Sequence, residues 1–241
     1  MPVTRYAIYY APRPGEPLAE FGSRWLRRDA EQPDLDPAPI PTAMPAAEQW
    51  GITAEPRRYG FHATLKPPFA LRSGATENDL LHAVRALADQ WSDLLIAPLH
   101  LKRIGRFVAL TPSAEIPDLQ QLAAECVAKL DHLREPSSPA DMARRRGAGL
   151  TALQDQLLQR WGYPYVMEEF RFHLTLTGSL APESIDRCFK LLEPMVVPFL
   201  RDGAALRDLV IFIEADGAPM RVLARVPLRP SHQAYDRMSG P

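Results

Sequence analysis

At 241 residues the chain is long for one compact unit and short for two full domains, so a single bilobed domain over 1–241 is the expected organisation. Hydrophobic residues at 46% and charged residues at 24% are ordinary globular values, which excludes disordered, collagen-like and coiled-coil classes. A net charge of −1 supplies no global field to hold a long duplex or an anionic membrane, so any anionic ligand must be gripped locally.

In chain order, residues 6–10 read as a β-rich strand stopped by Ala11 and Pro12. Leu18, Phe21 and Trp25 at helical spacing predict a helix over 18–28. Proline, alanine and acidic side chains dominate 29–48, which predicts a long surface loop. A strand over 61–69 is followed by a helix over 76–91, with Thr76 as N-cap and Asp79 in its first turn. Residues 98–103 and 107–111 flank Gly105 as a hairpin, and 116–133 forms a further helix. The polar stretch 135–149, with Pro136, Pro139 and the run Arg144, Arg145, Arg146, reads as a loop. A helix over 150–161, a strand over 169–180 and a helix over 183–200 come next. A hairpin of 209–214 and 221–226 turns at Asp216 and Gly217, before a frayed tail over 231–241.

Nothing in the sequence approaches a membrane span: 191–200 is broken by Glu193, Pro194 and Pro198. Cys126 and Cys188 lack metal spacing, and no apolar leader opens the chain, so a reducing, cytoplasmic setting without membrane contact is expected.

The element order contains a repeat: strand, helix, loop, strand, helix, strand, twice over, giving lobes of roughly 1–105 and 106–230. The intervals from His62 to Gly105 and from His173 to Gly217 differ by one residue. At equivalent places the two copies carry Phe61, His62, Ala63, Thr64, Leu65 and Phe172, His173, Leu174, Thr175, Leu176. With a strand period of two, His62, Thr64 and Lys66 share one face, as do His173, Thr175 and Thr177. Facing each other, two such faces suit a phosphodiester, because in-line displacement wants a base and an acid on opposite sides of phosphorus. Histidine can fill either role near neutral pH, and threonine hydroxyls can donate to non-bridging oxygens. No metal is needed in this scheme: there is no His-Glu-x-x-His or Cys-x-x-Cys spacing, and threonine is a poor zinc ligand.

Other residues carry two readings. Lys66 is either a cleft cation or a solvated strand-end charge before Pro67 and Pro68. Tyr163 and Tyr165 either touch ligand or pack in the core. Arg144, Arg145 and Arg146 are either a solvated run or a basic loop over the cleft, whereas Arg171 reads as structural. His82, His100, His132 and His232 are assigned no role.

These paired motifs resemble the two-histidine (2H) phosphoesterase superfamily. The longer strings 58–69, 161–166 and 170–177 look like its branch encoded beside bacterial phosphonate-degradation genes. The resemblance implies an α+β fold: a duplicated, bilobed domain with two antiparallel sheets facing a central cleft and helices outside. It also implies a metal-independent, cofactor-free hydrolase of a small cyclic phosphodiester, either a 2′,3′-cyclic nucleotide or a ribosyl cyclic phosphate. His62 and His173 would be acid and base in an order the symmetry leaves open, with Thr64 and Thr175 on the phosphate. Lys66, Thr177, Tyr163 and Tyr165 are added as substrate-binding residues, and small phosphorylated sugars, nucleotides and RNA ends are the expected partners. The alternative is a non-catalytic binder of nucleotides or RNA ends.

Overall fold

The computed structural model describes residues 4–147, 149–199 and 203–231. The predicted tail from 232 on, with His232, lies outside the described residues, as does Leu200 at the end of the helix predicted over 183–200.

The N-terminal half runs β1 (Arg5–Tyr10), α1 (Pro17–Leu26), α2 (Ala46–Ile52), α3 (Ala54–Tyr59), β2 (Ala63–Phe69), α4 (Glu77–Ala88), β3 (Leu94–Ile96) and β4 (Leu99–Ile104). There follow β5 (Phe107–Pro112), α5 (Pro117–Lys129), α6 (Pro139–Arg146), α7 (Ala152–Trp161), β6 (Leu174–Thr175), α8 (Pro182–Val196), β7 (Ala204–Leu206), β8 (Asp208–Glu214) and β9 (Arg221–Pro227). Much of the high proline content opens helices. Proline stands in the first turn of α1, α5, α6 and α8, where its missing N–H has no intrahelical acceptor to lose. The predicted cap of α4 forms in full, since Thr76 accepts from the Asp79 backbone and the Asp79 carboxylate accepts from Thr76.

The architecture is mixed α and β with antiparallel sheets. One sheet has the order β2-β1-β8-β9, a second β4-β5-β6, and β3 pairs with β7 in a small third sheet. Strand pairing crosses the sequence halves. The β8–β9 hairpin of the C-terminal half docks on β1, and β4 of the N-terminal half pairs with β5. A boundary at 105/106 therefore passes through the β4–β5 hairpin, at Gly105 with its φ of 56°. Helices α4 and α5 pack on the first sheet and α8 on β4 and β5. One large apolar cluster joins them, with Ile8 and Leu65 in the same cluster as Leu110, Leu174 and Ile211. Among the described residues no helix is long and apolar enough to cross a membrane.

Three predicted segments differ. The strand expected over 169–180 contracts to Leu174–Thr175, because a 3-10 turn occupies Met167–Glu169 and both Leu176 and Thr177 donate to the one Val108 carbonyl, ending the ladder. The loop expected over 135–149 contains α6, capped by Ser138, whose hydroxyl accepts from Asp141 N at 3.1 Å. The loop expected to reach residue 48 gives way to α2 at Ala46.

Candidate active site

Both His-x-Thr segments open onto one cleft of about 740 Å³. His62 sits just ahead of β2 and His173 just ahead of β6, so strands from different sheets supply the two imidazoles. Each ring is held the same way. His62 Nδ1 lies 2.9 Å from the Gly60 carbonyl and His173 Nδ1 2.7 Å from the Arg171 carbonyl, in both cases two residues back along the chain. A carbonyl can only accept, so each Nδ1 carries the proton and each neutral ring keeps the Nε2 lone pair as an acceptor. Gly60 makes this turn with φ 79° and ψ 177°, a conformation that favours glycine, and a Cβ there would come within 2.8 Å of Ala30 Cβ. Thr64 Oγ1, 3.3 Å from His62 Nε2, is then the donor to that lone pair.

The surroundings break the symmetry of the pair. Tyr9 stacks on His62 with centroids 3.8 Å apart and planes at 22°, and Tyr59 and Phe212 stand 6.1 Å away. Tyr9 itself is fully buried, its hydroxyl 3.4 Å from Met220 Sδ. His173 has Phe107 as an aromatic neighbour at 5.7 Å. Desolvation pushes the His62 pKa down to about 4, against a weaker upward pull from the Gly60 carbonyl and with a further downward push from the charge of His173. Burial also lowers His173, opposed by its bond to the Arg171 carbonyl.

Thr64 and Thr175 both line the cleft, but Lys66 and Thr177 do not. For Lys66 the reason is a β-bulge. Tyr9 pairs with Thr64 and Ile8 with Lys66, so one step on β1 faces two on β2 and the alternation reverses between Thr64 and Lys66. Tyr9 and Thr64 share the cleft face, whereas Ile8 and Lys66 share the face packed on helices. Lys66 is 1% exposed, and its Nζ donates at 3.0 Å to the Val127 carbonyl in the last turn of α5, with Asp131 at 3.9 Å. Burial lowers its pKa to about 8 despite Asp131. Thr177 is fully buried: its hydroxyl accepts from Val108 N at 3.0 Å and donates to the Gly178 carbonyl.

Tyr163 and Tyr165 line the cleft edge-to-face, 5.8 Å apart, and burial raises the Tyr163 phenol. The structure adds cleft residues that sequence reasoning passed over, Tyr9, Tyr59, Phe107, Arg5 and Arg106, and it puts Arg171, read as structural, on the cleft lining as well. Arg171 was legible, because it lies two positions before His173 and a period of two puts both on one side. Tyr9 and Arg5 carry no local signal, since only the pairing of β1 with β2 and β8 brings them to the site. Among the described residues no cluster of three or more His, Cys, Asp or Glu side chains is placed to hold a metal ion.

Two curated relatives resemble this chain. A protein of Janthinobacterium sp. (strain Marseille) named ribose 1,5-bisphosphate phosphokinase PhnN is 37% identical over 93% of the chain and 51% of its own length. A protein of the same name from Laribacter hongkongensis (strain HLHK9) is 39% identical over 73% of the chain and 40% of its own length. The chain thus spans about half the length of the relatives it matches. Their names overturn the expectation of a cyclic-phosphodiester hydrolase: a phosphokinase is a transferase that moves a phosphoryl group to an acceptor. They agree with a small phosphorylated sugar as ligand and lend nothing to an RNA end. Residues 64–221, well over half of the sequence, match the family described as "Protein of unknown function (DUF1045)", and the chain belongs to that family.

Proposed function

We propose that the cleft holds a phosphorylated ribose as the acceptor in a phosphoryl transfer. In this reading His62 Nε2 takes the proton of the attacking sugar hydroxyl as the phosphoryl group leaves its nucleoside triphosphate donor, while Thr64, Thr175 and His173, the last protonated on Nε2, donate to the phosphoryl oxygens. The observation that carries it is the meeting of two His-x-Thr units, from different sheets, at one cleft with both rings tethered through Nδ1 to a carbonyl two residues back. A base on the hydroxyl side of an in-line transfer must be neutral when the acceptor arrives, and burial keeps His62 neutral through the physiological range. The substrate class comes from the names of the two relatives, and the span of only half their length makes the sharing of binding and transfer within this chain part of the proposal. Two related units facing one cleft agree with a two-histidine superfamily origin, and the reading places the protein in a cytoplasmic, phosphonate-associated setting.

Calorimetric titration with ribose 5-phosphate and ribose 1,5-bisphosphate tests binding, and ³¹P NMR with Mg²⁺ and ATP as trial donor tests transfer. Thr64→Val and Thr175→Val each remove a donor to an anion, so each is expected to weaken binding roughly tenfold or more. His62→Ala is expected to abolish transfer while retaining binding. Failure of the wild type to bind either sugar phosphate, or binding indifferent to both threonine changes, would overturn the reading.

A further inference from the structure

The arginine run on α6 divides by what each side chain touches. Arg144 pairs with Asp141 and Arg146 with Asp155, as solvated charges on a helix do. Arg145 forms no ion pair among the described residues. Its guanidinium carbon lies 4.8 Å over the Tyr163 ring, and its Nε is buried without a hydrogen-bond partner. Desolvation lowers its pKa, Tyr163 and Asp141 oppose that, and the nearby cations Arg144 and Arg5 lower it further.

An unsatisfied guanidinium N–H held among like charges is costly unless an anion completes it. The seat over Tyr163 holds the guanidinium at the cleft wall, and a guanidinium there suits a bidentate acceptor. The cleft it lines carries five arginines against two glutamates, Glu55 and Glu169. Of these, Arg5 pairs with Glu214 and Arg144 with Asp141, so Arg106, Arg145 and Arg171 are without an ion pair among the described residues, more cations than one phosphoryl group on the histidine and threonine pair answers. A cleft of about 740 Å³ has room for a pentose with more than one such group.

We infer that Arg145, seated on Tyr163, grips a second phosphoryl group, so that the cleft selects a pentose bisphosphate over a monophosphate. This rests on the reading that His62, Thr64, His173 and Thr175 hold the first. The wild type should then bind ribose 1,5-bisphosphate at least roughly tenfold more tightly than ribose 5-phosphate, the scale of a charge-assisted bidentate contact. Arg145→Gln should erase that preference by weakening the bisphosphate alone, Arg145→Lys should restore part of it, and Arg146→Gln should behave as wild type. Matching thermal midpoints of the variants would exclude a folding defect. Equal affinity of the wild type for both ligands, with binding still dependent on Thr64 and Thr175, would overturn the second grip alone, as would an Arg145→Gln change that weakens both ligands equally. Failure to bind either ligand would remove the underlying reading as well.

Discussion

At the scale of single residues, two histidines with the same backbone tether end in different environments. His62 is caged by Tyr9, Tyr59 and Phe212, and so is the ring that strongly resists protonation. That has a consequence for stability. The unfolded chain takes up this proton near the ordinary histidine value of about 6.5, the folded chain only near 4, so unfolding gains a proton between the two. The stability from the neutral ring is present above about pH 6.5 and lost as the pH falls toward 4. His62→Gln should flatten that part of the profile in urea unfolding at pH 7, 5.5 and 4.5, and an unchanged slope would remove the buried imidazole as its cause. His62, Thr64, His173 and Thr175 were legible because a repeated pattern names them without any knowledge of packing. Lys66 was misplaced because counting by twos assumes an unbroken ladder, and the bulge opposite Ile8 and Tyr9 leaves no mark in the sequence.

At the scale of elements, the same bulge turns Lys66 from a ligand group into a cap for α5. Its ammonium meets the Val127 carbonyl, one of the last-turn carbonyls with no intrahelical donor. Lys66→Ala should cost about 1–3 kcal/mol of stability, through the lost bond and the space left behind, and leave sugar-phosphate binding intact. A binding loss at unchanged stability would return Lys66 to the site. The helix starts show what local chemistry specifies. Ser138 followed by Pro139 is as good a start signal as Thr76 with Asp79, yet among prolines and arginines it was read as punctuation. The α6 helix matters because it carries Arg145 to the cleft. The short β6 shows the converse limit: 169–180 has the composition of a strand, but backbone donors, not composition, set where pairing with β5 ends.

At the scale of the whole molecule, the cleft exists because the halves interlock. The β8–β9 hairpin completes the sheet that holds Thr64, and β4 and β5 form the one that receives Thr175. Trp25 of α1, fully buried, donates from Nε1 at 2.7 Å to the Leu176 carbonyl beside the second motif, and Tyr10 of β1 meets Phe172 at 5.4 Å. Trp25→Phe should therefore lower stability by about 2–4 kcal/mol, by opening space and stranding that carbonyl, in a single unfolding transition. Two separated transitions would show that the halves fold independently. The sequence by itself determined the longer helices, the Thr76 cap, the two hairpins and the repeated pattern that names four motif residues, because capping, turn chemistry and a repeat act between near neighbours in the chain. Only the tertiary structure decided which strands share a sheet, that Lys66 and Thr177 turn inward, that Arg145 faces the cleft, and that one histidine is caged more tightly than the other. Those outcomes depend on strand pairing and burial between residues far apart in sequence, where a single bulge or crossing hairpin redirects every side chain beyond it.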